Sequence, residues 1–150
     1  MATKTDASFG IIPVRWREDQ WEVFLIHQLS KIGNNSYWVF PKGHPENNES
    51  PLETAQRELK EETNLIAKKI LTEPTFTLEY SFVFDDMQVQ KTVEFFIGLI
   101  TNFHTKLDPK EVKEAGWYKL EDVASRLDYE DTKKLFSEVK EFLQTKKEEL

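Results

Sequence analysis

The chain has 150 residues and a mass of 17.7 kDa, the size of one domain with room for a sizeable core. Hydrophobic residues make up 39%, with 11 Phe and 4 Trp, which excludes a disordered chain. A formal net charge of −7 argues against a reader of duplex DNA, and zero cysteines exclude disulfides, thiol nucleophiles and cysteine-ligated zinc. Small polyphosphates stay open as ligands, because a bound divalent cation inverts local charge. The opening MATKTDASFG lacks the apolar run of a signal peptide, and no stretch approaches a membrane span. A cytoplasmic protein without membrane association is therefore expected.

In chain order, SFGIIPVR (about 8–15) reads as a strand, and WEVFLIHQL (21–29) as a second. Val23, Leu25 and Leu29 fall on one face and Phe24 and Ile26 on the other, which predicts burial on both sides. The short apolar run YWVF (37–40) stops at Pro41, and a polar loop follows to Asn48. Ser50 suits an N-cap, Pro51 the first helical position, and Ser50 with Glu53 forms a capping box. Leu52, Ala55 and Leu59 recur at helical spacing, and Asn64 suits a left-handed stop that lets Leu65 fold back on Leu59. These signals predict a helix over 51–63. Strand patterns follow at 66–72, 75–84 and 92–101, with Asp85-Asp86 as a hairpin turn. AGWYKL (115–120) reads as a further strand, 121–127 as a short helix and 131–147 as an amphipathic helix. The order predicts a mixed α/β fold in one domain spanning 1–150, its sheet sandwiched between helices.

The helix over 51–63 carries Glu58, Glu61 and Glu62 within two turns. At about 100° per residue all three share one arc, next to the apolar face of Leu52, Ala55 and Leu59. Like-charge repulsion of ~0.2–0.5 kcal/mol per pair and a helix-dipole cost of ~0.3–1 kcal/mol per charge both oppose this crowding. Lys60 projects from the far side and gives no relief. A hard divalent cation, which takes oxygen ligands, would turn the repulsion into binding. A solvated acidic face is the alternative reading of the three glutamates alone.

The surrounding sequence decides between them. Gly43, five residues, Glu49, seven residues and then RELKEETNL (57–65) resembles the signature of the Nudix hydrolase family. Every fixed position of that signature is present except its last Gly, here Asn64. By average residue usage, chance would produce six such matches in a chain of this length on the order of once in a hundred thousand. Asn is also the next best residue to Gly in a left-handed helix stop.

The resemblance implies a Nudix fold, an α/β/α sandwich, and hydrolysis of a nucleoside diphosphate linked to another group. It implies Mg²⁺, with Mn²⁺ able to substitute, held by Glu58, Glu61, Glu62 and the Gly43 carbonyl. Arg57 would pair with Glu49 as a structural element of the motif. Glu62 or Glu58 would serve as the catalytic base ahead of Glu111, which is a metal-binding or base candidate. Within the family, WVFPKGHPE (38–46), KTVEFF (91–96) and KEVKEAGWYKLEDV (110–123) are similar to segments of asymmetrical dinucleoside tetraphosphate hydrolases. Phe40 departs from that subgroup, which usually has Pro there. The subgroup resemblance implies that Lys42, His44 and Lys91 meet substrate phosphates, that Glu46 supports the metal, and that Tyr129 stacks on a base.

The expected function is thus Mg²⁺-dependent cleavage of diadenosine tetraphosphate to ATP and AMP by a monomer acting on a small molecule. Removal of pyrophosphate from an RNA 5′ end, another Nudix activity, is the first alternative. A Nudix-fold module that binds a nucleotide without hydrolysing it is the second. His27 and Trp117 are read as structural, and His104, in an exposed-looking loop, as without a specific role.

Overall fold

A computed structural model describes residues 2–30 and 35–146. Seven strands form one sheet: β1 (Ala2–Arg17), β2 (Gln20–Leu29), β3 (Ser36–Val39), β4 (Lys42–Gly43), β5 (Ala67–Phe84), β6 (Met87–Ile100) and β7 (Val112–Lys119). The helices are α1 (Pro51–Thr63), α2 (Leu120–Arg126) and α3 (Glu130–Gln144). The main sheet runs β3-β2-β1-β6-β5, with β4 paired to β1 and β7 to β2. β1 and β6 are parallel, while every other pairing is antiparallel.

The sheet has a hydrophobic core on each face. Ala55 and Leu59 of α1 pack with Ile11, Phe24, Ile26 and Phe96 on one side. Val123 of α2 and Leu135, Phe136, Val139 and Leu143 of α3 pack with Val14, Val23, Leu25 and Phe95 on the other. The two-sided burial expected of β2 holds, except that Leu29 is exposed at its end. The fold is the α/β/α sandwich anticipated from the sequence.

Local signals act as expected around α1. Ser50 Oγ accepts from the Glu53 N–H at 3.1 Å, and Glu53 Oε1 accepts from the Ser50 N–H at 3.0 Å. Asn64 takes the left-handed conformation at φ 66°, and its N–H closes the helix on the Lys60 carbonyl. Asp85 and Asp86, with φ of 52° and 58°, turn β5 into β6.

The bounds of five strands differ from the sequence pattern. β1 begins at Ala2, because its polar first half is held by parallel pairing to Met87–Lys91. The segments 66–72 and 75–84 form one strand, β5, whose register shifts between Leu71 and Phe76. β6 and β7 start earlier than their apolar runs, at Met87 and Val112. Lys42 and Gly43, expected in a loop, pair with Gly10 and Phe9 as β4. Helix α3 ends at Gln144, while residue 147, where the sequence pattern runs out, lies outside the described residues.

Candidate active site

Helix α1 presents its acidic edge to β4 and to the segment that precedes β7. Gly43 approaches so closely that a β-carbon there would overlap the Glu58 carboxylate. The segment after β6 is tied to the end of α1: the Lys106 N–H donates to the Thr63 carbonyl at 2.9 Å and the Asp108 N–H to that of Glu62 at 3.3 Å. The Leu29 N–H in turn donates to the Glu111 carbonyl at 2.8 Å. These bonds carry Glu111 to α1, and ligand-capable oxygens of Glu58, Glu62 and Glu111 all lie within 4.8 Å of one another.

Glu62 is 1% exposed, and neither of its carboxylate oxygens has a hydrogen-bond partner. Burial, reinforced by the neighbouring Glu58 and Glu111, pushes its pKa up to about 10, and Lys42 only partly opposes this. An unpaired buried carboxylate is costly unless something positive completes it. An all-oxygen set of three carboxylates, with one pair of oxygens unengaged, fits a hard divalent cation.

Glu61 does not join that group. Its Oε2 accepts from Arg57 Nη1 at 3.1 Å, and its side chain is 55% exposed. Arg57 is the hub behind the carboxylates. Its Nε and Nη2 donate to the two oxygens of Glu49 at 2.7 and 3.0 Å, and Nη2 also reaches the His44 carbonyl at 2.8 Å. Nη1 donates to Glu58 Oε1 at 3.0 Å, which orients that carboxylate. Glu49 further accepts from the Glu46 N–H at 2.8 Å and from the Thr54 hydroxyl at 3.2 Å. The Arg57 hydrogen bond leads the causes that hold the Glu49 carboxyl down to about 2. The guanidinium's planar fork therefore braces the loop 44–49 against α1. Glu46 Oε2 lies 3.8 Å from Arg57 Nε and is not among the clustered carboxylates.

A cleft of about 760 Å³ opens beside the carboxylates. Lys42, His44, Glu58 and Glu111 line one part of it, and Tyr37 and Tyr129 another. The two tyrosine rings stand 4.9 Å apart with a 33° tilt, and Tyr129 is 46% exposed. Burial first, then Tyr37, pushes the Tyr129 hydroxyl up to about 12, so the phenol stays neutral. Burial, with Lys91 nearby, lowers the Lys42 ammonium pKa, while Glu62, Asp6 and Glu58 counteract this.

Lys91 does not line this cleft. It is 6% exposed, and its Nζ donates to Ser8 Oγ at 2.6 Å and Asp6 Oδ2 at 2.9 Å, with His44 Nε2 at 3.1 Å. Asp6 was not singled out in the sequence, because it sits in the polar half of β1 that only the pairing with β6 reveals. The alternation of TKTDASFG was the one available signal. Tyr37, also unanticipated, lay in the run YWVF, where it reads as core.

The cleft thus combines clustered carboxylates with paired aromatic rings. The model of the NUDIX domain matches residues 4–139, and the chain belongs to that family. A Mycobacterium tuberculosis protein provisionally named mutator protein MutT4 is 32% identical over 111 residues, covering 74% of this chain but only 44% of that protein. The mouse (Mus musculus) asymmetrical bis(5′-nucleosyl)-tetraphosphatase is 29% identical over 135 residues, covering 81% of this chain and 90% of that enzyme. Among solved structures, a binary complex of the C. elegans Ap4A hydrolase superposes with a TM-score of 0.76 at 22% identity, covering 93% of this chain and 98% of that one. That likeness shows the fold. Among the described residues no helix is long and apolar enough to cross a membrane.

Proposed function

We propose that this Nudix hydrolase cleaves dinucleoside polyphosphates with the help of a divalent cation, splitting diadenosine tetraphosphate into ATP and AMP. The observation that carries the reading is one cleft lined by Glu58 and Glu111, with the buried Glu62 clustered against them, and by the paired tyrosines Tyr37 and Tyr129. The mouse tetraphosphatase, similar over most of its length, supports the substrate class.

Glu58, Glu62 and Glu111, with the Gly43 carbonyl, would hold Mg²⁺ or Mn²⁺. Bound there, the cation neutralises charge on phosphoryl oxygens and lowers the pKa of a water. Lys42 meets the phosphate chain from the cleft wall, and His44 adds a ring nitrogen beside it. Tyr129, backed by Tyr37, gives a flat surface for a base. A carboxylate oxygen of Glu62 or Glu58 takes the proton of the attacking water. These two rank ahead of Glu111 because a helix holds a side chain more firmly than a loop does. Arg57 and Glu49 keep Glu58 aimed. Glu61, turned to Arg57, would reach a cation only by leaving that partner.

The test is incubation with Mg²⁺ and diadenosine tetraphosphate, with products resolved by anion exchange. ATP plus AMP is expected. Two ADP, or no turnover, would overturn the reading, and faster phosphate release from triphosphorylated RNA would replace it with the RNA-end activity.

A further inference from the structure

Lys91 is a buried cation outside the carboxylate trio, and strand register explains how it is held. In the parallel pairing of β1 with β6, Asp6 stands opposite Lys91. Ser8, two residues along, shares the same face of the strand. Lys91 Nζ donates to Asp6 Oδ2 at 2.9 Å and to Ser8 Oγ at 2.6 Å, and His44 Nε2 lies 3.1 Å from it. The Asp6 carboxylate also lies 3.1 Å from His44 Nε2. Partial burial pushes the Asp6 carboxyl up, but the hydrogen bonds from Lys91 and His44 outweigh it and leave its pKa below the ordinary value. Ser8 and His44 line the cleft, with Lys91 behind them. Lys42, which does line it, feels Lys91 as a repelling neighbour and Asp6 as an attracting one.

We propose that Asp6 is a positioning residue that holds Lys91 back against β1, leaving Lys42 as the ammonium this wall offers to a phosphate chain. The proposal rests on the reading of the cleft as a polyphosphate site. Neutralised by Asp6, Lys91 adds no net charge to the wall and fixes the His44 ring. Released, it would place a second ammonium beside Lys42, and the wall would grip phosphate more tightly and release it more slowly.

The probe is imidodiphosphate, a pyrophosphate analogue with a bridging nitrogen, titrated calorimetrically in Mg²⁺. Wild type, Asp6→Asn, Lys91→Met and the double variant are compared. One uncompensated charge near the phosphate should tighten binding in Asp6→Asn by about three- to tenfold. The gain should shrink as salt rises towards about 1 M. In the Lys91→Met background the gain should be smaller, because there Asp6→Asn removes only the carboxylate's own repulsion and frees no ammonium. A purely structural role for Asp6 would give neither the salt dependence nor the larger gain beside Lys91. Equal or weaker binding in Asp6→Asn, or a gain just as large without Lys91, overturns the proposal while the cleft reading stands. Should Asp6→Asn not fold, Lys91→Met decides alone: a locked lysine predicts a loss of no more than about tenfold, from the uncovered Asp6 carboxylate, whereas a larger loss makes Lys91 a direct phosphate ligand. Wild type that fails to bind the probe would overturn the cleft reading and this proposal together.

Discussion

Glu62 and Lys91 are both buried charges near one cleft, 1% and 6% exposed, yet the protein treats them in opposite ways. Lys91 donates to two partners supplied by β1, Asp6 and Ser8, with the His44 ring beside it. Glu62 has none, and Glu58 and Glu111 crowd it further. A buried charge with all its partners is a finished piece of structure. A buried charge with like-signed neighbours and open oxygens is half of a site, and the missing half must be positive. Burial alone therefore does not distinguish scaffold from chemistry, whereas the identity of the neighbours does.

The sharpest way to break this contrast is Glu62→Gln. The amide keeps the shape and removes the charge a cation needs, so kcat should fall by about 100-fold or more. Circular dichroism should stay unchanged. Near wild-type turnover would mean that the acidic edge is a solvated face after all.

Stability against pH sharpens the same contrast. The pKa of Glu62 rises from 4.5 to about 10 on folding. A raised folded value gives stability that is complete below about pH 4.5 and fades as pH climbs towards about 10. In EDTA, wild type should thus lose denaturant resistance between about pH 5 and about pH 9, relative to Glu62→Gln. Saturating Mg²⁺ should flatten that difference, because the cation takes over from the proton. Parallel pH profiles for the two proteins in EDTA would remove Glu62 as the cause.

Gly43→Ala tests whether the carboxylates need the close approach of β4. The added methyl meets the Glu58 carboxylate, a clash expected to cost about 1–3 kcal/mol. Glu58 should be displaced, so that kcat/KM falls with a modest drop in thermal midpoint. A stable, fully active variant would show that Glu58 has room to move.

What the sequence disclosed follows the range of the interactions involved. Helix α1 was legible to the residue because its start, stop and apolar face are set by Ser50, Glu53, Asn64 and Leu59 within the segment itself. The Arg57–Glu49 pair, by contrast, was expected from the family resemblance. The first half of β1 was not legible, since TKTDAS has no apolar pattern and is ordered by a strand 85 residues away at Asp6–Lys91. Glu111 was reachable only through family resemblance, because long-range backbone bonds to the end of α1 bring it to Glu62. The difference between Glu61 and Glu62 was likewise hidden. Both lie on one arc of the helix, and what separates them is the Arg57 guanidinium facing one and the closed interior facing the other.

That last difference supports the smallest predicted effect. Glu61 is 55% exposed and pairs with Arg57 four residues earlier, an interaction worth about 0.2–0.5 kcal/mol on a helix surface. Arg57 keeps Glu49, Glu58 and the His44 carbonyl when Glu61 is neutralised, so the brace on the loop survives. Glu61→Gln should leave the thermal midpoint nearly unchanged and lower kcat at least about tenfold less than Glu62→Gln does. Measuring both variants at saturating Mg²⁺ makes the comparison direct. Equal losses would mean that Glu61 leaves Arg57 and joins the cation, and the arc of carboxylates would then act as a single unit.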